Sequence, residues 1–125
     1  MKRAVLLLGL CVALALPAFA FVLKDVDNAV SVTTVSAEID FTDPIALIDF
    51  SATNVFVKSA ADSASTCYFY LGGGTITANG PNTWAIAPDT AFSIEYDYEL
   101  GGSGWDAISH ICASGSATFQ IVGTR

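Results

Sequence analysis

The chain has 125 residues, of which 53% are hydrophobic and 14% are charged, so its composition is that of a globular protein and not of a disordered one. Twelve acidic and five basic residues give a formal net charge of −7, with a single His and no basic cluster. This balance argues against nucleic acid as a partner, because phosphate backbones are bound through Lys and Arg, and it disfavours docking on an anionic membrane surface.

The first element predicted in chain order is a signal peptide over residues 1–20. Lys2 and Arg3 precede an uncharged apolar run over residues 4–16. Residues 18–20 (Ala-Phe-Ala) then have the small-x-small form after which signal peptidase cleaves. The pattern predicts export, which would leave the protein periplasmic, extracellular or associated with a particle.

Cleavage would start the mature chain at Phe21 and make it more acidic. Removing two of the five basic residues and none of the twelve acidic ones changes the net charge to −9. No stable membrane insertion is then expected. The alternative is an uncleaved membrane anchor, because residues 4–23 form an uncharged run of near-spanning length.

Cysteine usage agrees with export. Loss of Cys11 with the signal peptide would leave Cys67 and Cys112, and an even number of cysteines in an exported chain predicts one disulfide. Two buried free thiols are the alternative.

Residues 21–125 are predicted to form a single all-β domain. Strand-like runs recur about every ten residues and are separated by Gly, Pro, Asn and Asp, which is typical of an antiparallel β-sandwich or jelly roll. We expect about eight or nine short strands. A leading arm covers 21–28, a bulge or bend is expected at 33–34 and a turn at 43–44. The ten strand-like runs from which these eight or nine strands are expected are 30–32, 35–41, 45–50, 52–59, 66–71, 75–78, 83–87, 91–98, 105–112 and 117–122.

The end of the chain is predicted to be a β-hairpin. The run 105–112 is apolar enough to be covered on both sides, and 117–122 alternates with a period of two. Residues 113–116 form a short Gly-containing loop of the kind that closes a hairpin.

Aromatic side chains are the first candidates for a binding site. Most of them are expected in the core, but Tyr68 and Tyr70 lie in the phase opposite Cys67 and Phe69. These two tyrosines are therefore predicted to face outward and to contact a ligand or another subunit. The aromatic residues considered are Tyr68, Tyr70, Trp84, Tyr96, Tyr98 and Trp105.

Acidic side chains supply a second candidate site. Asp97, Glu99 and Asp106 flank a Gly-rich loop and offer the hard oxygen ligands that calcium prefers, although the spacing is not that of an EF-hand. Glu95 and Asp97 are also close enough along one strand face for a hydrolase acid pair. A solvated face that resists edge pairing is the simpler interpretation of these acids.

His110, the single His, is interpreted as a structural or surface residue. No catalytic residues are predicted, because His110 lacks the nucleophile and acid that triad chemistry requires. A zinc site is not expected either, since one His and two bridged cysteines do not supply its usual ligands. No cofactor is predicted, with calcium left as an alternative.

Two stretches resemble a known class of proteins. Residues 83–97 (TWAIAPDTAFSIEYD) and 107–123 (AISHICASGSATFQIVG) are similar to segments of short β-sandwich proteins of phage virions, such as head decoration and fibre proteins. The resemblance covers about the last 40 residues and implies a sandwich that assembles, often as trimers, without an active site. The predicted signal peptide and disulfide depart from that pattern, because tailed-phage virion proteins usually assemble in the cytoplasm.

Together these features predict an exported, non-enzymatic β-sandwich that acts by surface contact, as a structural or assembly subunit or as an adhesion-type module. Its partners would be other proteins or further copies of itself. The alternatives are a small carbohydrate- or calcium-binding domain and, third, a secreted hydrolase.

Overall fold

Ten β-strands make up the regular structure of the residues described by the computed structural model, which are 23–60, 63–97 and 101–125. The predicted signal peptide lies outside these residues. In chain order the strands are β1 (Lys24–Val32), β2 (Ala37–Asp40), β3 (Thr42–Asp43), β4 (Ile48–Asp49), β5 (Asn54–Ser59), β6 (Cys67–Leu71), β7 (Trp84–Ile86), β8 (Ala91–Glu95), β9 (Ala107–Cys112) and β10 (Ala117–Thr124).

Eight of these strands form two four-stranded antiparallel sheets. One sheet has the order β1-β10-β5-β8 and the other the order β2-β9-β6-β7, while β3 and β4 pair only with each other. The chain passes repeatedly from one sheet to the other, and this connectivity of eight strands in two sheets is that of a jelly roll. The predicted all-β antiparallel sandwich is confirmed.

Alternating side chains from the two sheets fill the core. In β10, Ala117, Phe119 and Ile121 are buried while the residues between them face outward, as their period of two predicts. Phe119 meets Phe69 of the other sheet edge-to-face, with ring centroids 4.8 Å apart. A Cβ atom at Gly123 would lie 2.5 Å from the ring of the buried Phe41, so glycine is required for this close approach.

The strand β9 is covered on both faces, as predicted. Ile108, His110 and Cys112 share the core-facing phase, and Ala107 and Ser109 on the other face are also buried. The connection between β6 and β7 covers the outer face of β9.

The predicted C-terminal hairpin is wrong. The strand β9 pairs with β2 and β6, whereas β10 pairs with β1 and β5 in the opposite sheet. Residues 113–116 therefore cross from one sheet to the other. A short Gly-containing loop serves either purpose, and both strands need only one face in the shared core, so alternation and loop length do not distinguish the two arrangements.

Other differences from the predicted elements are local. Residues 24–28 of the predicted arm belong to β1, which pairs with β10 over its whole length except for an irregularity between Asp27 and Val30. The phase change near residues 33–34 is a bend between β1 and β2, which lie in different sheets. Residues 75–78 form a loop and not a strand.

The predicted disulfide is present. Cys67 of β6 and Cys112 of β9 lie directly opposite each other in adjacent strands, and their sulfur atoms are bonded at 2.00 Å. Both side chains are buried in the core. The bridge joins two strands of one sheet and does not link the two sheets.

Candidate functional site

Tyr68 and Tyr70 lie on the outer face of the sheet β2-β9-β6-β7. In β6 they are half-buried, and they alternate with the buried Cys67, Phe69 and Leu71. Their predicted outward phase is therefore correct. Their surroundings differ. Tyr68 has a strand partner on each side, Ala85 of β7 and Ile111 of β9, whereas Tyr70 lies beside the loop that follows β6.

That loop, residues 72–83, is held over the sheet by hydrogen bonds with Ser109 of β9, with Glu38 of β2 and with Ser36, which precedes β2. The Ser109 hydroxyl lies 3.0 Å from the Gly72 carbonyl oxygen and 2.8 Å from that of Gly74. The carboxylate of Glu38 accepts a hydrogen bond from the Gly74 amide at 2.6 Å. The Ser36 hydroxyl oxygen accepts one from the Ile76 amide at 2.9 Å.

The Tyr70 groove is a cavity of about 360 Å³ between the Tyr70 ring and this loop. The loop closes its far side through the Thr83 hydroxyl, which donates to the Gly80 carbonyl oxygen at 2.7 Å. Gly72 lies against the ring, where a Cβ atom would be 2.9 Å from Tyr70 Cε1, and its φ of 130° is one that favours glycine. The lining residues are Tyr70, Gly73, Gly74, Thr75, Ile76, Thr77, Gly80, Pro81, Asn82 and Thr83.

A second feature is the apolar tip, residues 44–48, which comprises the connection between β3 and β4 and the first residue of β4. The carboxylate of Asp43 accepts hydrogen bonds from the amides of Ile45 at 2.8 Å and Ala46 at 2.7 Å, and the Asp43 carbonyl oxygen accepts one from Leu47 at 2.7 Å. The predicted Asp43-Pro44 turn is thus confirmed. The Ala46 amide holds the pKa of the Asp43 carboxyl below its ordinary value, with help from the amides of Lys24 and Ile45 and against the opposing effect of burial.

The apolar tip presents large hydrophobic side chains to solvent. Ile45 is 94% exposed and Leu47 80% exposed, and Ile48 is also exposed. Leu47 adopts a φ of 54°, in the left-handed region that a leucine rarely occupies. The sequence predicts a strand-like apolar run over residues 45–50, whereas only Ile48–Asp49 forms a strand. The signal that could have corrected it is the turn at Asp43 and Pro44 directly before it.

Two of the three predicted calcium ligands, Asp97 and Asp106, lie within the described residues. Asp97 is exposed just after β8, Asp106 is exposed just before β9 and accepts a hydrogen bond from the Ser51 hydroxyl, and Glu99 lies outside the described residues. Among the residues described, no group of three or more His, Cys, Asp or Glu side chains is arranged to hold a metal ion. Because Glu99 is one of the three, the calcium set remains a prediction.

Glu95, one of the two hydrolase candidates, is exposed on the outer face of β8. His110 is buried in the core and not at the surface, with only 4% of its surface exposed and its ring centroid 6.3 Å from that of Phe69. Its Nδ1 atom is buried without a hydrogen-bond partner in the described part of the chain. Burial lowers the pKa of this imidazole.

Other aromatic candidates pack against neighbouring rings. Trp105 packs against the core and meets Tyr96 edge-on at 5.0 Å between centroids. Trp84 is exposed at the edge of its sheet but stacks on Phe92 of the other sheet at 5.9 Å. Tyr98 lies outside the described residues.

Comparisons with known proteins give a distant likeness among solved structures. No protein-family model matches the chain, and no curated protein matches it. Among solved structures, the coat protein of Tobacco streak virus is similar, with a TM-score of 0.42 and 16% identity over 83% of this chain and 86% of that one. This is a likeness to a viral structural protein and not specifically to a phage protein, and we rest no functional argument on it. No helix within residues 23–60, 63–97 and 101–125 is long and apolar enough to span a membrane.

Proposed function

We propose that this protein is an exported, non-enzymatic jelly-roll domain that acts by surface contact, as a subunit of a larger assembly or as an adhesion-type module. The apolar tip is the observation that carries the proposal. Single exposed apolar residues are ordinary, but Ile45, Leu47 and Ile48 lie within four positions on a turn held by Asp43. Such a group of side chains gains stability by entering a pocket on another protein.

Burial of the apolar tip would contribute favourable free energy to association. Fully burying one large aliphatic side chain contributes roughly 1.5–3 kcal/mol. Ile45 and Leu47 are almost fully exposed, so each has most of that contribution still to gain. The turn also limits the loss of conformational entropy on binding, because its backbone is already fixed by Asp43.

Charge around the tip favours a protein partner over a lipid surface. Asp40, Asp43 and Asp49 lie near its base beside Lys24 and Arg125, so acidic residues outnumber basic ones there, and the whole chain is acidic. An anionic membrane would repel this region, whereas a protein pocket with a basic rim would attract it.

Export and the absence of catalysis are supported by other features. The segment over residues 1–20 has the form of a cleavable signal, and a disulfide such as Cys67–Cys112 persists in oxidising compartments. The single His of the sequence is buried in the core, away from any surface where a substrate would bind. Jelly rolls occur in viral capsids and in lectin domains, which is an analogy of fold only.

The test compares the native size of the secreted protein with that of a tip variant. We expect the parent to elute as an assembly or as a complex with a partner in size-exclusion chromatography with light scattering. The double variant Ile45→Ser/Leu47→Ser should elute as a monomer with an unchanged melting temperature, because both side chains are exposed in the isolated domain.

Val35→Ser is the matched control. Val35 is also apolar and is 71% exposed, but it lies in the connection between β1 and β2, away from the apolar tip. It should assemble as the parent does. A monomeric parent with no partner, or a tip variant that assembles normally, would contradict the proposal.

A further inference from the structure

The Tyr70 groove offers a site for a small ligand that is separate from the apolar tip. Its volume of about 360 Å³ lies within the usual range of ligand pockets. It is formed between one side chain of the sheet, Tyr70, and nine residues of the loop 72–83. The two features belong to different elements, so each can be altered without the other.

The loop 72–83 is held in place before any ligand binds. Residues that do not line the groove fix it from beneath: Ser109, Glu38 and Ser36 bond the backbone at Gly72, Gly74 and Ile76. Within the loop, the Gly80 amide donates to the Thr77 carbonyl oxygen at 2.9 Å. A groove with fixed walls binds without the cost of ordering them.

Chemistry of the lining selects the class of ligand. The lining combines one aromatic ring with the hydroxyls of Thr75, Thr77 and Thr83 and the amide of Asn82, and it includes no acidic or basic side chain. Anionic ligands would find no cation there and would meet an acidic protein. The lining is mixed: Tyr70, Ile76 and Pro81 offer apolar surface, and the threonines and Asn82 offer polar groups, which suits a ligand that has both kinds of surface.

We propose that the Tyr70 groove binds a neutral oligosaccharide. A sugar ring has an apolar face of C–H groups that can lie on the Tyr70 ring, while its hydroxyls can exchange hydrogen bonds with the threonine hydroxyls, the Asn82 amide and the exposed backbone of the loop. The site does not depend on the proposed assembly through the apolar tip.

The experiment is isothermal titration calorimetry on the full-length secreted, disulfide-bonded protein. The probes are four neutral hexasaccharides, namely maltohexaose, cellohexaose, xylohexaose and chitohexaose, with sialyllactose and inorganic phosphate as charged probes. We expect at least one neutral hexasaccharide to bind and both charged probes to bind at least about tenfold more weakly.

Three matched variants locate the binding. Tyr70→Ala should weaken binding about tenfold or more, since it removes the stacking surface. Tyr68→Ala should change it less than about twofold, because Tyr68 lies on the same face of β6 but does not line the groove. Tyr70→Phe, which keeps the ring, should retain most of the affinity, and the melting temperature of each variant verifies that it is folded.

Failure of this proposal is separable from failure of the proposed function. No binding by any neutral hexasaccharide, equal losses in Tyr68→Ala and Tyr70→Ala, or stronger binding of a charged probe would each overturn it. The double variant Ile45→Ser/Leu47→Ser should bind the sugar as the parent does, whatever its state of assembly.

Discussion

His110 is a buried imidazole in a fold built from apolar side chains. It shares the core-facing phase of β9 with Ile108 and Cys112, and it lies beside Phe69. Its Nδ1 atom has no hydrogen-bond partner among the described residues. Burying a polar atom without a partner costs free energy, and charging it in the same place would cost more.

Stability should therefore fall as the solution becomes mildly acidic. Because burial lowers the pKa of folded His110 below 6.5, the unfolded chain binds more protons between that lowered pKa and 6.5. The stabilising effect of neutral His110 is complete above pH 6.5 and is lost as pH falls through the folded pKa, with a slope of at most about 1.4 kcal/mol per pH unit for one proton. Thermal melting between pH 8 and 5 should show this loss in the parent and a flatter profile in His110→Gln. Parallel profiles would show that the imidazole does not titrate differently on folding.

The two tyrosines show how far single residues can be interpreted from the sequence. Their alternation with Cys67 and Phe69 is enough to place both on the outer face of β6. It does not distinguish Tyr70, which lines a groove, from Tyr68, which does not. The difference arises from the path of the loop 72–83, and that path depends on long-range bonds to Ser36, Glu38 and Ser109.

At the scale of elements, the apolar tip depends on one carboxylate. Asp43 is buried, and its side chain accepts amide hydrogen bonds from Lys24 in β1 and from Ile45 and Ala46 in the turn. Charged acceptors form stronger bonds than neutral ones, and these bonds keep the pKa of the carboxyl low. The shape of the tip and the ionisation of Asp43 are therefore linked.

Asp43→Asn should destabilise the protein at neutral pH but not at low pH. A lowered folded pKa means that the charged carboxylate stabilises the fold above its unfolded pKa and loses that effect as pH falls through the folded pKa. The difference in melting temperature between parent and variant should be largest near pH 6 and should shrink below pH 3.8, the ordinary pKa of the group. Hydrogen exchange at the Ile45 and Ala46 amides should be roughly five- to tenfold faster in the variant at pH 6. Asp89→Asn, in the exposed turn before β8, is the control and should show neither effect.

In this chain, the period-two alternation of apolar residues predicts the positions of strands well, but it does not predict which strands pair with each other. The alternating runs that become β6, β8 and β10 are visible in the sequence because one face of each strand is apolar. The partner of β10 is not visible, because the same alternation suits a hairpin with β9 or a place between β1 and β5. Which strands pair across long sequence separations depends on how the whole core packs, and a local sequence pattern does not show it.

At the scale of the whole molecule, the acidic surface and a charged residue on the edge strand β1 oppose aggregation through sheet edges. The nine-residue edge strand β1 would otherwise offer unpaired backbone groups to another chain. Asp27 lies opposite the buried Ile121, in the core-facing phase, and burial, with a smaller effect of Asp25, raises its pKa. A charge in that position opposes edge-to-edge pairing, so the apolar tip is better suited than this edge to mediate assembly.

The disulfide constrains the whole chain more than it strengthens one sheet. β6 and β9 are already paired through five residues each, so the covalent bond between Cys67 and Cys112 adds little to the folded sheet. In the unfolded chain it closes a loop spanning 45 residues, which in the chain-entropy model stabilises the fold by about 4 kcal/mol. The double variant Cys67→Ala/Cys112→Ala should therefore melt about 15 °C or more below the oxidised parent. Reductant during the melt should lower the parent toward the variant and leave the variant unchanged. If all of these transitions coincide instead, the unfolded chain is already compact enough that the bridge removes no freedom, and the domain is stabilised by its jelly-roll core alone.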